Sequence, residues 1–298
     1  MENKVAAVVV TYNRKNLLLE NIESLLKQTV ADKLTVVIID NASTDGTRDS
    51  IQAYIDNKQI IYINTGENLG GAGGFQYGIR YATEHQFEYI WVMDDDCIPT
   101  ENALEEFLNC DRKLNGQYGF LSSKVLWKDN NICKMNIQRK TLTKYVTDFD
   151  EKLSTVAMAS FVSLFIPTKV VLKVGLPIKE FFIWTDDWEY TRRISQNYSC
   201  YLLTTSVVIH KSANNIGANI ATDGVDRLDR YRYLYRNDVY LYRRESVKGF
   251  IYEVIRLSGH VARVLIKSKN NRLKRIKMIF QGTKEGFKFM PDIEYINE

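Results

Sequence analysis

With 298 residues, 45% of them hydrophobic and 26% charged, the chain has ordinary globular composition, which excludes a disordered protein and leaves room for one domain with an appendage or for two small domains. The formal charge of +4 is small for this length but unevenly spread, because Arg256 to Lys277 holds eight Lys or Arg and no Asp or Glu. Four scattered cysteines without a C-x-x-C pair argue against a zinc site or a disulfide framework, and no apolar run reaches the roughly 18 residues of a spanning helix, so the sequence reads as cytoplasmic.

Val5 to Val10 is a continuous, largely β-branched run of the kind buried on both faces of a parallel sheet, and Asn16 to Lys27 sets Leu18, Ile22, Leu25 and Leu26 at helical spacing. Leu34 to Ile39 repeats the strand signal, Thr47 to Asn57 forms the next helix, and Ile60 to Ile63 is a third strand. Glycines at 70, 71, 73 and 74 open a helix through about Glu84, before the strand that ends at Asp94. This order predicts a doubly wound α/β sheet, whose ligands sit beyond the carboxyl ends of the strands. The polar clusters fall there: Thr11-Tyr12-Asn13-Arg14, Asp40-Asn41, Asn64 to Asn68 and Asp94-Asp95-Asp96. Beyond Pro99 the pattern is less regular, with a short helix over 101–109 and several strands over 117–166. Lys169 to Val174 starts a helix stopped by Gly175, Asp186 to Asn197 gives another, and the strand Cys200 to Ile209 leads to His210. From Asp226 the chain reads as helical, Tyr- and Arg-rich, to about Phe289, which divides it into residues 1–225 and a basic, amphipathic 226–298.

Three adjacent carboxylates at a strand exit repel one another, so Asp94 to Asp96 call for a positive offset, most simply a divalent cation carrying phosphate oxygens; the alternative is a solvated turn. Mg²⁺ and Mn²⁺ favour such hard oxygen ligands, and His210 either completes a manganese-type site or is structural. Asp40 and Asn41 either shape a turn or place Asp40 to accept the imide N–H of uracil or thymine, with Thr11 and Arg14 near ring oxygens or phosphate. The loop Glu67 to Gly74 lacks the Gly-Lys-Ser/Thr of a Walker loop. Its glycines either permit tight helix-to-sheet packing or bare backbone N–H groups toward an anion, with Asn68 in reach of sugar or phosphates. In Trp184-Thr185-Asp186-Asp187-Trp188-Glu189, a capping box between Asp186 and Glu189 is one reading. It leaves the tryptophans unexplained. Around carboxylates they offer flat faces to a sugar ring and raise proton affinity, which makes Asp187 or Asp186 the candidate general base.

Val8 to Arg14, Asp40 to Thr47, Asn68 to Gly74 and Met93 to Asp96 resemble, in order, the nucleotide-sugar half of family 2 inverting glycosyltransferases with the GT-A fold, over residues 5 to about 215. With Phe182 to Tyr190 and His210 added, the chain is similar within that family to bacterial galactofuranosyltransferases. The resemblance implies an α/β GT-A fold, a mixed, mainly parallel sheet with flanking helices and a helical C-terminal region. It places Thr11, Tyr12, Asn13, Arg14, Asp40, Asn41, Asn68, Gly70, Asp94 and Asp95 around the donor, UDP-galactofuranose, and Asp94, Asp96 and His210 around Mn²⁺ or Mg²⁺. It makes Asp187 the catalytic base and sets Trp184, Asp186, Trp188 and Glu189 around a glycan or lipid-linked glycan acceptor. Two departures stand out: Thr185 is inserted between the tryptophan and the paired aspartates, and the large accessory domains of mycobacterial members are absent. Rhamnosyltransferases using dTDP-rhamnose share most of these motifs and form the alternative.

Between residues 250 and 289, apolar Phe250, Val254, Ile255, Val261, Val264, Leu265, Ile276, Ile279 and Phe280 alternate with the basic series. They read either as a solvated face on packed helices or as peripheral attachment to an anionic membrane. A helical C-terminus also suits a homo-oligomer. A nucleic-acid partner is not expected, since the acidic clusters repel a phosphodiester backbone. A non-catalytic nucleotide or glycan-binding module is the remaining alternative, and it leaves a base candidate without a purpose.

Overall fold

The computed structural model describes residues 4–296. The chain runs β1 (Val5–Thr11), α1 (Lys15–Leu26), β2 (Leu34–Asp40), α2 (Thr47–Ser50), α3 (Gln52–Asp56), β3 (Ile60–Asn64), α4 (Gly70–Glu84), β4 (Tyr89–Asp94), β5 (Cys97–Pro99) and α5 (Ala103–Leu114). It continues through β6 (Leu121–Trp127), β7 (Leu153–Thr155), β8 (Leu164–Pro167), α6 (Thr168–Val174), α7 (Asp186–Ser195), β9 (Tyr201–His210), α8 (Tyr231–Arg243), α9 (Ser246–Lys267) and α10 (Arg272–Lys288). These form one mixed sheet in the order β3-β2-β1-β4-β8-β6-β9-β5, with β7 also paired to β9.

The expected parallel half is present: β1 lies parallel to both β2 and β4, and β2 to β3. Every residue of β1 is buried, as a strand covered on both faces requires. Its alternate side chains serve two cores. Val5, Ala7 and Val9 pack with Leu18, Ile22 and Phe107 of α1 and α5, whereas Ala6, Val8 and Val10 pack with Phe75 and Ile79 of α4 and Ile194 of α7. Beyond β4 the doubly wound expectation gives way to alternation, since β8 runs antiparallel to β4 and β6, while β6 and β9 are again parallel. The helix expected over Thr47 to Asn57 is two short pieces. Ile51, buried among core side chains, leaves helical geometry at φ −107° and ψ 6°.

Two features position the site. In the parallel ladders Thr11 pairs with Asp40, Val10 with Asp94 and Asp40 with Asn64, so the polar exits of four strands lie side by side. The three-residue β5 then doubles back against β9 with Cys97 opposite His210, which sets the histidine beside the aspartate triplet.

The C-terminal helices are not an appendage. α8 and α10 enclose a core of Ile220, Leu228, Tyr231, Tyr235, Val264 and Ile279, and the chain then returns to the sheet domain. There the Leu176 N–H donates to Glu294 O at 2.8 Å, Arg80 meets the Glu294 carboxylate at 2.9 Å, and Ile293 packs near Ala72 and Phe181. Among the described residues no helix is long and apolar enough to cross a membrane.

α4 lies unusually close to β1, because a Cβ on Gly78 would stand 2.2 Å from Val8 Cγ1 and one on Gly74 2.6 Å from Val10 Cγ1. An exposed mid-helix Gly→Ala change stabilises by about 1 kcal/mol. Gly78→Ala is expected to do the reverse, lowering stability by about 1–3 kcal/mol in urea unfolding, because the added methyl overpacks the helix–sheet seam.

Candidate active site

The aspartate triplet is offset first by the chain's own cations. Arg14 Nη1 reaches Asp96 Oδ2 at 2.6 Å and Asp95 Oδ1 at 3.4 Å, and the Thr11 hydroxyl donates to Asp95 Oδ2 at 2.7 Å. Arg14 is thus committed to the carboxylates. His210 Nε2 lies 3.1 Å from Asp96 Oδ1, a buried oxygen to which no hydrogen bond is directed. On the other side of the ring, His210 Nδ1 is 2.8 Å from Asn136 Oδ1, which also accepts from the Cys133 thiol. An amide oxygen accepts only, so Nδ1 donates to Asn136, and Nε2 is the ring nitrogen that takes up the second proton beside Asp96. Burial works against charge on this imidazole, but the Asp96 carboxylate prevails and pushes its pKa up to about 10.

Burial raises the proton affinity of the neighbouring acids. Asp94 is moved from the usual 3.8 to about 6 by burial and then by Asp96, and Asp95 to about 7 by burial, against the pull of Arg14. Asp94, Asp96 and Cys97 offer ligand atoms within 4.8 Å of one another. A hard cation prefers the carboxylates and the imidazole. Burial drives the Cys97 thiol far from ionisation.

The second carboxylate pair opens α7, where the helix N-terminus favours negative charge. Burial raises Asp186 to about 7 and lifts Asp187 well above the carboxylate range, and the negative charge of Asp94 adds to both shifts. Asp94 therefore lies within electrostatic reach of the α7 pair. Asp186 is buried, and Asp187 is half-buried with Oδ1 accepting the Trp188 N–H at 2.7 Å. Arg139 supplies the opposing charge: its guanidinium stacks 4.5 Å from the Trp188 ring and 5.1 Å from Tyr145, and it favours ionised Asp187. It donates to Tyr242 Oη at 3.0 Å, while its buried Nε has no partner.

The loop before α7 is strained. Phe182, Trp184 and Thr185 have φ of 63°, 65° and 69°, where a side chain costs energy. α8 holds it there. Asn237 Nδ2 lies 2.9–3.1 Å from the carbonyls of Phe181, Ile183 and Trp184, and the Thr185 hydroxyl donates to Asp238 Oδ1 at 2.7 Å. Asp238 is in turn paired with Arg256 of α9 at 2.5 Å. Thr185 is thus a second anchor of the loop to the C-terminal helices, and the Trp184 ring meets Tyr231 of α8 at 5.1 Å, tilted by 60°.

Other expected site residues fall in different settings. Tyr12 and Asn13 are exposed at the strand exits, with Asn13 Oδ1 accepting from the Thr44 N–H at 2.7 Å. Asp40 is buried and accepts from the Tyr62 hydroxyl and the Ser43 N–H, so the turn-shaping role is present. Asn41, also buried, donates to Gly70 O at 2.9 Å, and its own Oδ1 has no partner. Two of the first amides of α4 are used internally. Gly70 N–H donates to Asn68 Oδ1 at 2.9 Å and Ala72 N–H to Phe182 O at 3.2 Å. A Cβ at Gly70 would stand 2.2 Å from that same carbonyl, so glycine there lets the loop before α7 seat on α4. No capping box forms at α7, because the Glu189 carboxylate is buried in a two-point pair with Arg193 at 2.9 and 3.0 Å. Both oxygens of Glu189 are already held, which makes its place structural.

Asn136, Arg139, Asn237 and Asp238 were not singled out by the sequence. Each is one polar residue in an unremarkable stretch, given a role by contacts 50 to 100 positions away. A surface hollow of about 670 Å³ along Cys110, Arg112, Lys152 and Leu203 shares no residue with this cluster. The convergent carboxylates mark the candidate site.

Residues 6–114, which carry the strand exits through the aspartate triplet, match the model for "Glycosyl transferase family 2". That stretch carries the family's domain. The chain is 27% identical over 205 residues to galactofuranosyltransferase GlfT1 of Mycobacterium tuberculosis H37Rv, a match that covers 65% of each protein. It is 26% identical to dTDP-rhamnosyl transferase RfbF of Shigella flexneri over 302 aligned positions, 97% of each. Its fold matches that of S. aureus TarS residues 1–349, solved in complex with UDP-GlcNAc, with a TM-score of 0.56 at 15% identity over 96% of this chain and 73% of that one. The fold is GT-A.

Asn237→Ala removes one amide shared by three carbonyls and is expected to cost about 2–3 kcal/mol in chemical denaturation. Asn237→Asp, which places acceptor against acceptor, is expected to be at least as damaging in the same measurement.

Proposed function

We propose that the chain is an inverting glycosyltransferase that moves galactofuranose from UDP-galactofuranose onto a hydroxyl of a cell-surface glycan acceptor, free or lipid-linked, with Asp187 as general base. The observation that carries this reading is the juxtaposition of Asp187, its proton affinity raised by burial, with Asp94 of the triplet across the strand exits. The nucleotide lies along Thr11 to Arg14, Asp40, Asn41, Asn68 and Gly70, with the diphosphate toward Asp94 and Asp95. Tyr62 covers Asp40 and gives way if the base imide is read there. Trp184 and Trp188 flank the acceptor with Asp186. Asp187 takes the proton of the acceptor hydroxyl as that oxygen attacks the anomeric carbon opposite the leaving diphosphate; the glycosidic bond to phosphate breaks, a new one forms, and the anomer is inverted. Arg139 keeps Asp187 able to ionise between turnovers.

Asp94, Asp96 and His210 fit a divalent cation. Asp96 Oδ1 and His210 Nε2, 3.1 Å apart, are donors that a shared metal ion would bridge in place of the imidazolium proton, and mixed oxygen and nitrogen donors suit Mn²⁺ better than Mg²⁺. When bound, the ion would neutralise charge on the departing diphosphate.

A second reading, transfer of rhamnose from dTDP-rhamnose, is favoured by one observation, the match to the Shigella protein over nearly the whole of both chains. Assay of nucleotide release from UDP-galactofuranose, dTDP-rhamnose and UDP-GlcNAc with Mn²⁺ and glycan acceptors decides between donors; release from none of them overturns the transferase reading. Asp187→Asn is expected to lower turnover by about 10²–10⁴-fold with donor binding retained; near-normal turnover removes the base assignment.

Metal binding is expected to depend on pH with a fixed sign. Carboxylates with pKa raised to about 6 and 7 penalise the folded state as pH climbs from about 4 to about 7, and this penalty is complete at pH 8. His210, raised to about 10, stabilises fully below its ordinary value of 6.5 and loses that effect toward pH 10, so its proton competes with the cation. Mn²⁺ is therefore expected to raise the thermal midpoint more at pH 8 than at pH 5, and Asp96→Asn to remove most of that increment.

A further inference from the structure

α9 is apolar on both sides. Leu257, Val261 and Val264 pack into the C-terminal core, and beside them Glu253 is buried and Arg256 lies against the protein, paired with Glu253 at 2.8 Å and with Asp238 of α8 at 2.5 Å. A soluble helix turns its aliphatic face inward, yet a second aliphatic row faces outward: Val247, Ile251, Val254, Ile255, Leu265 and Ile266 are 73%, 52%, 47%, 65%, 53% and 78% exposed. Their spacing follows one side of the helix, opposite Gly249, Glu253 and Val264, the buried positions of its 22 residues. The apolar residues read together along this segment thus separate into two sets. Val264 and Ile279 belong to the C-terminal core, and Val254, Ile255 and Leu265 do not.

The charges beside this face have one sign. Lys248, Arg263 and Lys267 of α9 and Lys269 after it are exposed and have no acidic partner among the described residues, and Val254 to Lys284 contains no Asp or Glu. Lys274, Arg275 and Arg256 of the same basic series are spent on Asp229, on Ile220 O and on the buried pairs. A second copy of the chain seated on this face would bring like charges together with no acid to offset them. A sheet of anionic headgroups over an acyl layer matches both features, and α9 is too polar to cross that layer.

We propose that the outer face of α9 is a docking surface for an anionic lipid bilayer, with the helix lying in the plane of the interface, its aliphatic residues in the acyl boundary and Lys248, Arg263, Lys267 and Lys269 at the headgroups. The inference goes beyond the transferase reading and does not depend on it. It gives that reading a geometry, because Arg256 on the inner face of the docked helix pairs with Asp238, which holds Thr185 at the start of α7. The carboxylate pair then stands at a fixed height above the surface.

Flotation of the whole protein with phosphatidylcholine vesicles, with and without phosphatidylglycerol, tests this. The expected result is binding to phosphatidylglycerol-containing vesicles, weakened about tenfold or more by Ile251→Glu with Ile255→Glu, by Arg263→Glu with Lys267→Glu, and by high salt. Because all four positions are exposed, circular dichroism melting is expected to be unchanged in both variants. Failure of the wild type to float with phosphatidylglycerol, or equal flotation of the variants, overturns the proposal. So does a wild-type dimer in sedimentation velocity that Ile255→Glu dissociates, since a second copy then covers the face.

Discussion

The aspartate triplet Asp94 to Asp96, whose first member also raises the proton affinity of Asp186 and Asp187, is the constraint on which the arrangement at the strand exits depends. Two like charges 4 Å apart repel by about 4 kcal/mol at an effective dielectric of 20, so such a cluster persists only if protons, cations or rigid neighbours hold it. The chain uses all three. Burial raises the proton affinity of Asp94, Asp95, Asp186 and Asp187, Arg14 and His210 bring positive charge to Asp96, and Thr11 donates to Asp95. Each of these partners needs an anchor of its own. Asn136 fixes the imidazole from behind, and Tyr242 from α8 fixes the Arg139 guanidinium that faces Asp187.

The same logic explains why the C-terminal helices cannot be treated as an accessory. Three non-glycine residues with positive φ between 182 and 185 cost on the order of 1 kcal/mol or more each, and isolated from their surroundings they would relax. Asn237 and Asp238 hold them, and the buried Arg256 and Glu253 hold Asp238. A boundary drawn at residue 225 therefore separates the reacting groups from their support. Strain at the loop and buried charge in the helices are two ends of one structure.

Much of the first hundred residues was legible in the sequence because strands covered on both faces leave unbroken apolar runs, and each run ended in the polar cluster that the ladders later aligned. Asp94, Asp96 and His210 stood out as polar residues where buried strands stop, and Asp186 with Asp187 as an acidic pair between two tryptophans. The glycine loop was legible as a loop, while its packing role needed the distances from Gly74 and Gly78 to β1 and from Gly70 to Phe182. Glu189 was read among the acceptor residues with a capping box as the alternative; its partner in the fold is Arg193, at the common helical spacing of four residues. Asn136, Arg139 and Asn237 carried no local signal, since a lone amide or guanidinium acquires meaning from the distant groups it meets. The three-residue β5 is too short to show a periodicity, yet its pairing with β9 brings His210 to Asp96.

The clamp of Asn237 on the carbonyls of Phe181, Ile183 and Trp184 also sets an order of events during synthesis. The loop before α7 leaves the ribosome more than fifty residues ahead of the amide that holds it, and the chain near Glu294 that fastens to Leu176 and Arg80 emerges later still. Domains otherwise tend to fold from the N-terminus as they appear. In this chain the parallel half of the sheet can form early, but the acids of α7 meet the acids of β4 under restraint only after α8 has been made. A nascent chain interrupted before α8 therefore carries the strand-exit motifs without a held reaction centre.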